Sequence, residues 1–168
     1  QFKKMMTKHL ILGFKFGISM SFISWIVGMI INALLSKTEY YQKISNLNFI
    51  KSRNLNKNIG IKNFKWVVKN TFFKFFNQKI KLENKKTDLT EIRNEMTLSE
   101  ISHLIGFIFV TIVAVYLSFT KSPIVGISMM LPNTLMNLYP SLLQQENKRR
   151  IDKLIKRQTK TVANTVYN

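Results

Sequence analysis

From Ile101 to Phe119 the chain carries no Asp, Glu, Lys or Arg. About 20 such residues, rising about 1.5 Å each, match the ~30 Å hydrocarbon core of a bilayer, so the run reads as a transmembrane helix. Its entrance, Glu95-Met-Thr-Leu-Ser-Glu100-Ile-Ser-His103, is polar and titratable. Thr97 and Glu100 have the S/T-x-x-E spacing of a capping box, in which hydroxyl and carboxylate satisfy otherwise unpaired backbone N–H groups. That spacing predicts a helix beginning at about Leu98. Glu100 and His103 are three apart and share a face, which sets a carboxylate beside an imidazole where water gives way to lipid.

Two further uncharged runs have spanning length. Phe16–Leu35, FGISMSFISWIVGMIINALL, contains Gly17, Ser19, Ser21, Ser24 and Gly28, small residues that let membrane helices approach closely. It exceeds a usual signal-peptide core and no small-x-small cleavage site follows before Lys37, so it reads as a span. The chain opens on Gln, and further residues before it are expected. Ile124–Gln145 holds Pro132 and Pro140, which predict kinks that free backbone carbonyls. Asn133 and Asn137, four apart on one face, are expected to face protein because amides are costly in lipid.

The fold expected is therefore an all-α membrane protein with three transmembrane helices, an amphipathic interfacial helix and a basic C-terminal tail. Residues 1–35 form an N-terminal segment and the first span, with Lys15 snorkelling outward. Residues 36–99 form a basic cytoplasmic segment containing the interfacial helix 58–78, residues 100–145 a transmembrane hairpin, and residues 146–168 a basic cytoplasmic tail. In the helix 58–78, Ile61, Phe64, Val68, Phe72 and Phe75 make a broad apolar face opposite Lys62, Lys65 and Lys69. Lys79–Arg93 reads as an exposed loop or frayed helix.

The formal charge of +18 is distributed around these runs, and a mean hydropathy of +0.00 conceals basic segments offset by apolar ones. Anionic headgroups, membrane lipids and phosphorylated substrates are thus the expected partners, and nucleic acid is not. Residues 36–99 hold 14 of the 26 Lys and Arg residues, which puts them inside by the positive-inside rule. The tail, with Lys148, Arg149, Arg150, Lys153, Lys156, Arg157 and Lys160, follows them. The expectation is a multi-pass protein of the cytoplasmic (inner) membrane with a cytoplasmic C-terminus and the short connection at Lys121 outside. Three spans then put the N-terminus outside despite its lysines, a conflict that a first span merely dipping into the membrane removes.

Antiparallel packing of the second and third runs brings Asn137, Tyr139 and Gln144 to the depth of Glu100 and His103. Ionisable and amide groups there are candidates for function because burying them unpaired costs several kcal/mol. The plainer reading keeps Glu100 as a cap, the amides as interhelical glue and the tail as a topology anchor. Cysteine is absent, which excludes disulfides, thiolate zinc sites and a cysteine nucleophile. No Gly-rich phosphate loop, His-x-x-x-x-Asp box, G-x-S-x-G or HExxH occurs, and no metal or other cofactor is expected.

The entrance Glu95–His103 resembles the E-T-x-R-A-E-x-x-H segment of the small membrane acyltransferases that complete staphyloxanthin-type carotenoids, the glycosyl-diaponeurosporenoate acyltransferase family. Asn137-Leu-Tyr-Pro-Ser-Leu-Leu-Gln144-Gln-Glu-Asn147-Lys-Arg-Arg150 resembles its N-x-P-x-x-x-Q-R-Y-N-R-P-R segment, and Phe64-Lys-Trp66 its aromatic-lysine stretch. Gln145 and Glu146 replace an Arg-aromatic pair, and Arg149 a proline. The resemblance implies transfer of a fatty acyl group from a thioester donor, such as acyl-CoA, to a hydroxyl of a lipid-embedded acceptor such as a glycosylated isoprenoid. It implies His103 as general base, Glu100 orienting it, Asn137 or Gln144 donating to the oxyanion, and Lys148, Arg149 and Arg150 holding donor phosphates. The alternative from another class is a non-catalytic small subunit or accessory factor of a larger inner-membrane complex, its small-residue and amide faces serving as the interface to a membrane protein partner.

Overall fold

The computed structural model describes residues 2–50, 58–70 and 88–166, with side chains through 160. All regular structure among them is helical: α1 (Phe2–Leu35), α2 (Tyr40–Ile44), α3 (Ile61–Asn70), α4 (Leu89–Thr120), α5 (Pro123–Asn133), a π-helical turn (Thr134–Leu138) and α6 (Tyr139–Val166). Two compact units result, one made of Gln1–Asn46 with Glu100–Ser141 and the other of Leu47–Ser99 with Leu142–Asn168.

In the first unit the usual distribution of polarity is inverted. The buried residues of α1 are Gly13, Gly17, Ser21, Ser24, Gly28 and Asn32, one small or polar stripe at helical spacing. Phe14, Phe22, Ile23, Ile26, Met29, Ile30 and Leu34 point outward. α1 and α4 are long and apolar enough to cross a membrane, and only 22% of the apolar window of each is buried. A water-soluble core helix would bury its large side chains and expose its serines. Here the solvent suited to the exterior is hydrocarbon, and the helices are held by close backbone approach and polar contacts.

The contacts fix the helix directions. Gly13 faces Val125 and Ser128, Gly17 faces Met129 and Pro132, and Ser24 meets Asn137, so α1 runs parallel to α5 and the π turn. Against α4 the order reverses, with Gly28 and Asn32 on Ser102 and Ser24 on Gly106. α4 and α5 are antiparallel, with Ala114 and Ser118 beside Gly126 and Phe107 and Thr111 beside Asn133. At Gly28 an added Cβ would strike the Ser102 carbonyl, which explains why only glycine is accommodated there. Val110, Ala114 and Met129 make a small apolar cluster between the polar layers.

The third uncharged run does not form one straight helix. Ser122 caps α5 by accepting from the Ile124 N–H (3.3 Å), and Pro123 suits the first turn because its missing N–H would be unpaired there anyway. Pro132 then removes a donor inside α5, and the chain widens at once into the π turn, where the Tyr139 N–H donates to the Thr134 oxygen. The expected kinks thus take the form of a widened turn between two prolines.

Three local expectations change. α4 begins at Leu89, not at about Leu98, and Thr97 donates back to the Arg93 carbonyl (3.0 Å) instead of capping. The helix extends because Ile92 and Met96 pack with Ile151 in the second unit, flanked by Leu89 and Ile155. Residues 2–15, expected as a segment ahead of the first span, are continuous with the first apolar helix, and Ser19 is exposed, off the packed stripe. α3 buries Ile61 and half-buries Phe64, Lys65 and Val68, while Trp66 is exposed, so Lys65 belongs to the inward edge and not to an outer lysine stripe. Phe72 and Phe75, with residues 71–87 generally, lie outside the described residues.

Candidate functional site

The polar interior of the first unit is built from three chain segments. Asn133 donates through Nδ2 to the Phe107 carbonyl (3.1 Å) and the Thr111 hydroxyl (3.3 Å). One turn on, Asn137 donates through Nδ2 to the Asn133 Oδ1 and to the Ser24 Oγ, both at 2.9 Å. Both donors of the Asn137 amide are therefore committed. Its Oδ1 is buried without a hydrogen bond and faces Gly106, where an added Cβ would lie 3.0 Å from it.

His103 stands beside Asn137, as the antiparallel register requires. Trp25 of α1 meets the imidazole edge to face, with ring centroids 6.2 Å apart and planes at 88°. The Trp25 indole also donates to the Met136 carbonyl at 3.4 Å. Pro140 brings no N–H to that oxygen, so the indole takes the place of the missing helical donor. The imidazole Nδ1 is buried without a partner. Glu100, one turn before His103 on α4, is fully buried.

Towards the same end of α1, Asn32 donates to the Ser102 Oγ (2.9 Å). Tyr41 follows on α2. Burial raises its phenol above the ordinary value, the Asn32 side chain pulls it back and the Glu100 charge pushes it up again. An open groove lined by Leu10, Ile11, Phe14, Ile18, Ile127 and Leu131, with Lys15 on its wall, lies at the opposite end of α1. Its lining is almost wholly apolar and carries no other titratable group.

His103 and Asn137 are thus brought together, with Glu100 in the same unit. Gln144, Lys148, Arg149 and Arg150 fall in the second unit. There Gln144 accepts from Asn147 (3.4 Å), and Gln144 and Lys148 are buried. Arg149 donates to the Asn48 Oδ1 and the Ile50 carbonyl, and Gln145 accepts from the Phe49 N–H (3.0 Å), so these two tie down residues 48–50. Arg150 pairs with Glu146, and Arg93 with Asp152 (2.6 Å). Lys65 is pushed below the ordinary lysine value by burial first, then by Arg150, with Glu146 opposing and Lys69 adding.

Sequence reasoning missed Trp25, Asn32, Tyr41 and Ser141. Ser141 continues the four-residue spacing of Asn133 and Asn137, a signal that was readable; the others become visible only once α1 is known to be parallel to α5. Among the described residues no three of His, Cys, Asp and Glu gather as metal ligands would. In comparisons with known proteins, the family model described as glycosyl-4,4'-diaponeurosporenoate acyltransferase matches residues 37–157. No curated protein and no solved structure matches the chain.

Proposed function

This chain belongs to the glycosyl-4,4'-diaponeurosporenoate acyltransferase family, and from that premise we propose that it is an integral membrane acyltransferase. It transfers a fatty acyl group from a thioester donor, such as acyl-CoA, to a hydroxyl of a lipid-embedded acceptor, a glycosylated isoprenoid or a similar molecule. The single observation that carries this reading is the layer in which His103, Asn137 and Trp25 meet inside a bundle whose outside is apolar. A lipid-borne hydroxyl reaches such a layer from the bilayer without crossing water.

In the mechanism, His103 is the general base and Glu100 orients it and stabilises its charged form. Asn137 contributes its Oδ1, as an acceptor that positions the adjoining His103 ring or the incoming hydroxyl. Donation to an oxyanion falls instead to groups with an N–H or O–H to spare. Gln144 remains a candidate for the same task. Donor phosphates are met by Lys148, Arg149 and Arg150, the two arginines through N–H groups not spent on residues 48–50 and on Glu146, with Lys65 close to Arg150.

The three-span arrangement goes with this reading. The third span is α5, the π turn and the start of α6 to Gln145, with the connection at Lys121 outside and the basic segments on the cytoplasmic side of the inner membrane. The rival, a non-catalytic subunit, needs the small-residue face of α1 and the amide face of the third run as external interfaces. Those faces are buried against each other.

The test is acyl transfer by purified protein in lipid-supplemented detergent, given acyl-CoA and a glycosylated isoprenoid. His103→Ala is expected to lower kcat by roughly 10²–10⁴-fold, the usual contribution of a general base, and Glu100→Gln by less. An undiminished rate in His103→Ala protein would refute the assignment. Because the chain has no Cys, a cysteine introduced at Lys121 also reports the topology: an impermeant maleimide should label it in intact cells, and labelling only after lysis refutes the three-span arrangement.

A further inference from the structure

Among the described residues, several hydroxyls on the apolar helices fold back onto their own backbone. Ser21 donates to the Gly17 carbonyl (2.7 Å), Thr111 to Phe107 (2.7 Å), Ser118 to Ala114 (2.9 Å) and Ser128 to Ile124 (2.7 Å). This bond is available to any helical serine and relieves the cost of an unpaired hydroxyl away from water. Ser141 departs from the pattern: it is fully buried and its Oγ has no hydrogen-bond partner. It sits just after the π turn and Pro140, where the regular carbonyl ladder is interrupted.

The register gives its depth. Along the third run, Asn133 meets Phe107 and Thr111, and Asn137 meets Gly106 and His103. Each four-residue step forward moves about four residues back along α4, so Ser141 stands level with residues 99–103. The His103 Nδ1 is at that depth, also buried and also without a partner. A hydroxyl and an imidazole nitrogen, unbonded to each other, thus stand at one depth of the same unit, and closing on each other is what a serine nucleophile and its base require.

We propose that Ser141 is the acyl-accepting nucleophile and that the transfer proceeds by double displacement through an acyl-serine. In the first half, the Ser141 Oγ attacks the thioester carbonyl while His103 takes its proton. The carbon–sulfur bond breaks and the thiol leaves with that proton. In the second half, the acceptor hydroxyl yields its proton to His103 as its oxygen attacks the serine ester, and the Oγ regains a proton as it is released. The sum is thioester plus alcohol giving ester plus thiol. This inference rests on the acyltransferase reading above.

The experiment uses the full chain in lipid-supplemented detergent with palmitoyl-CoA. Without acceptor, one equivalent of CoA should be released in a burst and a palmitoyl group should map to the peptide containing Ser141. The chain has no cysteine, so the adduct must resist neutral hydroxylamine, as an oxygen ester does. Ser141→Ala should lose the adduct and at least a hundredfold in rate. Ser141→Cys, which retains a nucleophile, should convert the adduct to a hydroxylamine-labile thioester. Product formed at the normal rate by Ser141→Ala, or His103-dependent product without any adduct in the unmodified chain, overturns the acyl-serine and leaves the acyltransferase reading standing. Absence of both thiol release and product in the unmodified chain overturns the two together.

Discussion

Replacing Gly106 with Ala tests the geometry of the polar layer directly. The new Cβ would lie 3.0 Å from the Asn137 Oδ1, 3.0 Å from the Ser24 Oγ and 3.2 Å from the Ser24 carbonyl. The two side chains give way more readily than the carbonyl, and moving them breaks the 2.9 Å bond between Asn137 and Ser24. An interhelical hydrogen bond in a membrane bundle contributes about 0.6 kcal/mol, and overpacking a tight site costs about 1–3 kcal/mol. A loss of about 2–3 kcal/mol follows, or a Tm lower by roughly 4–12 °C for a chain of this size. The assay is thermal unfolding in detergent, followed by monodispersity and by tryptophan fluorescence in a Trp66→Phe background, where Trp25 beside His103 is the remaining tryptophan. Activity should fall too, because Asn137 is displaced from the imidazole. Adding Ser24→Ala removes one of the two opposed side-chain atoms, so the double variant should lose less than the two single losses together. A Gly106→Ala protein with Tm within a degree of the unmodified chain and full activity would show that these helices are not packed as described.

Two further outcomes concern the second unit. Arg149→Ala removes the donor to the Asn48 Oδ1 and the Ile50 carbonyl; with charge-assisted bonds contributing ~1.5–3 kcal/mol, a loss of about 2 kcal/mol and faster amide exchange at residues 48–50 are expected, and unchanged exchange would refute the tether. Lys65→Met should stabilise the fold at neutral pH, because a lysine whose folded pKa is lowered binds its proton more tightly when unfolded. Solvent screening at this half-exposed site keeps the gain below ~1 kcal/mol. The gain is full below the folded pKa and disappears as pH rises through the ordinary lysine range, so a Tm difference that grows with pH contradicts the assignment.

How much of this was legible follows from which interactions are local. The uncharged runs at Phe16–Leu35 and Ile101–Phe119 reveal their helices because the preference for hydrocarbon adds up residue by residue. The depth match of His103 with Asn137 was readable because the short connection at Lys121 and Ser122 leaves the two flanking runs little choice but to fold back on each other. The start of α4 was not readable: Thr97 and Glu100 carry a capping signature, but the packing of Ile92 and Met96 with Ile151 extends the helix past it. Arg149 looked like an anion ligand because charge is visible in sequence and its partners, an amide and a carbonyl about a hundred residues away, are not. Trp25 was hidden for a similar reason, since the carbonyl it serves is freed by Pro140 on another segment.

The polar groups of the first unit hold the helices together and also line the candidate site, which raises the question of how one layer does both. The amides divide the work by atom. The Asn137 Nδ2 hydrogens are spent on Ser24 and Asn133, while its Oδ1 is left to face the His103 imidazole, and the His103 Nδ1 and the Ser141 Oγ have no hydrogen bond in the same buried region. Groups that served only as glue would be expected to satisfy all their bonds, since in hydrocarbon nothing else is available. Structural bonds concentrated on the amide hydrogens, with acceptors and a hydroxyl held back, are what a layer needs if a substrate is to complete it. Removing a committed bond should therefore cost stability, whereas removing an uncommitted atom, as in Ser141→Ala, should cost activity at nearly unchanged Tm.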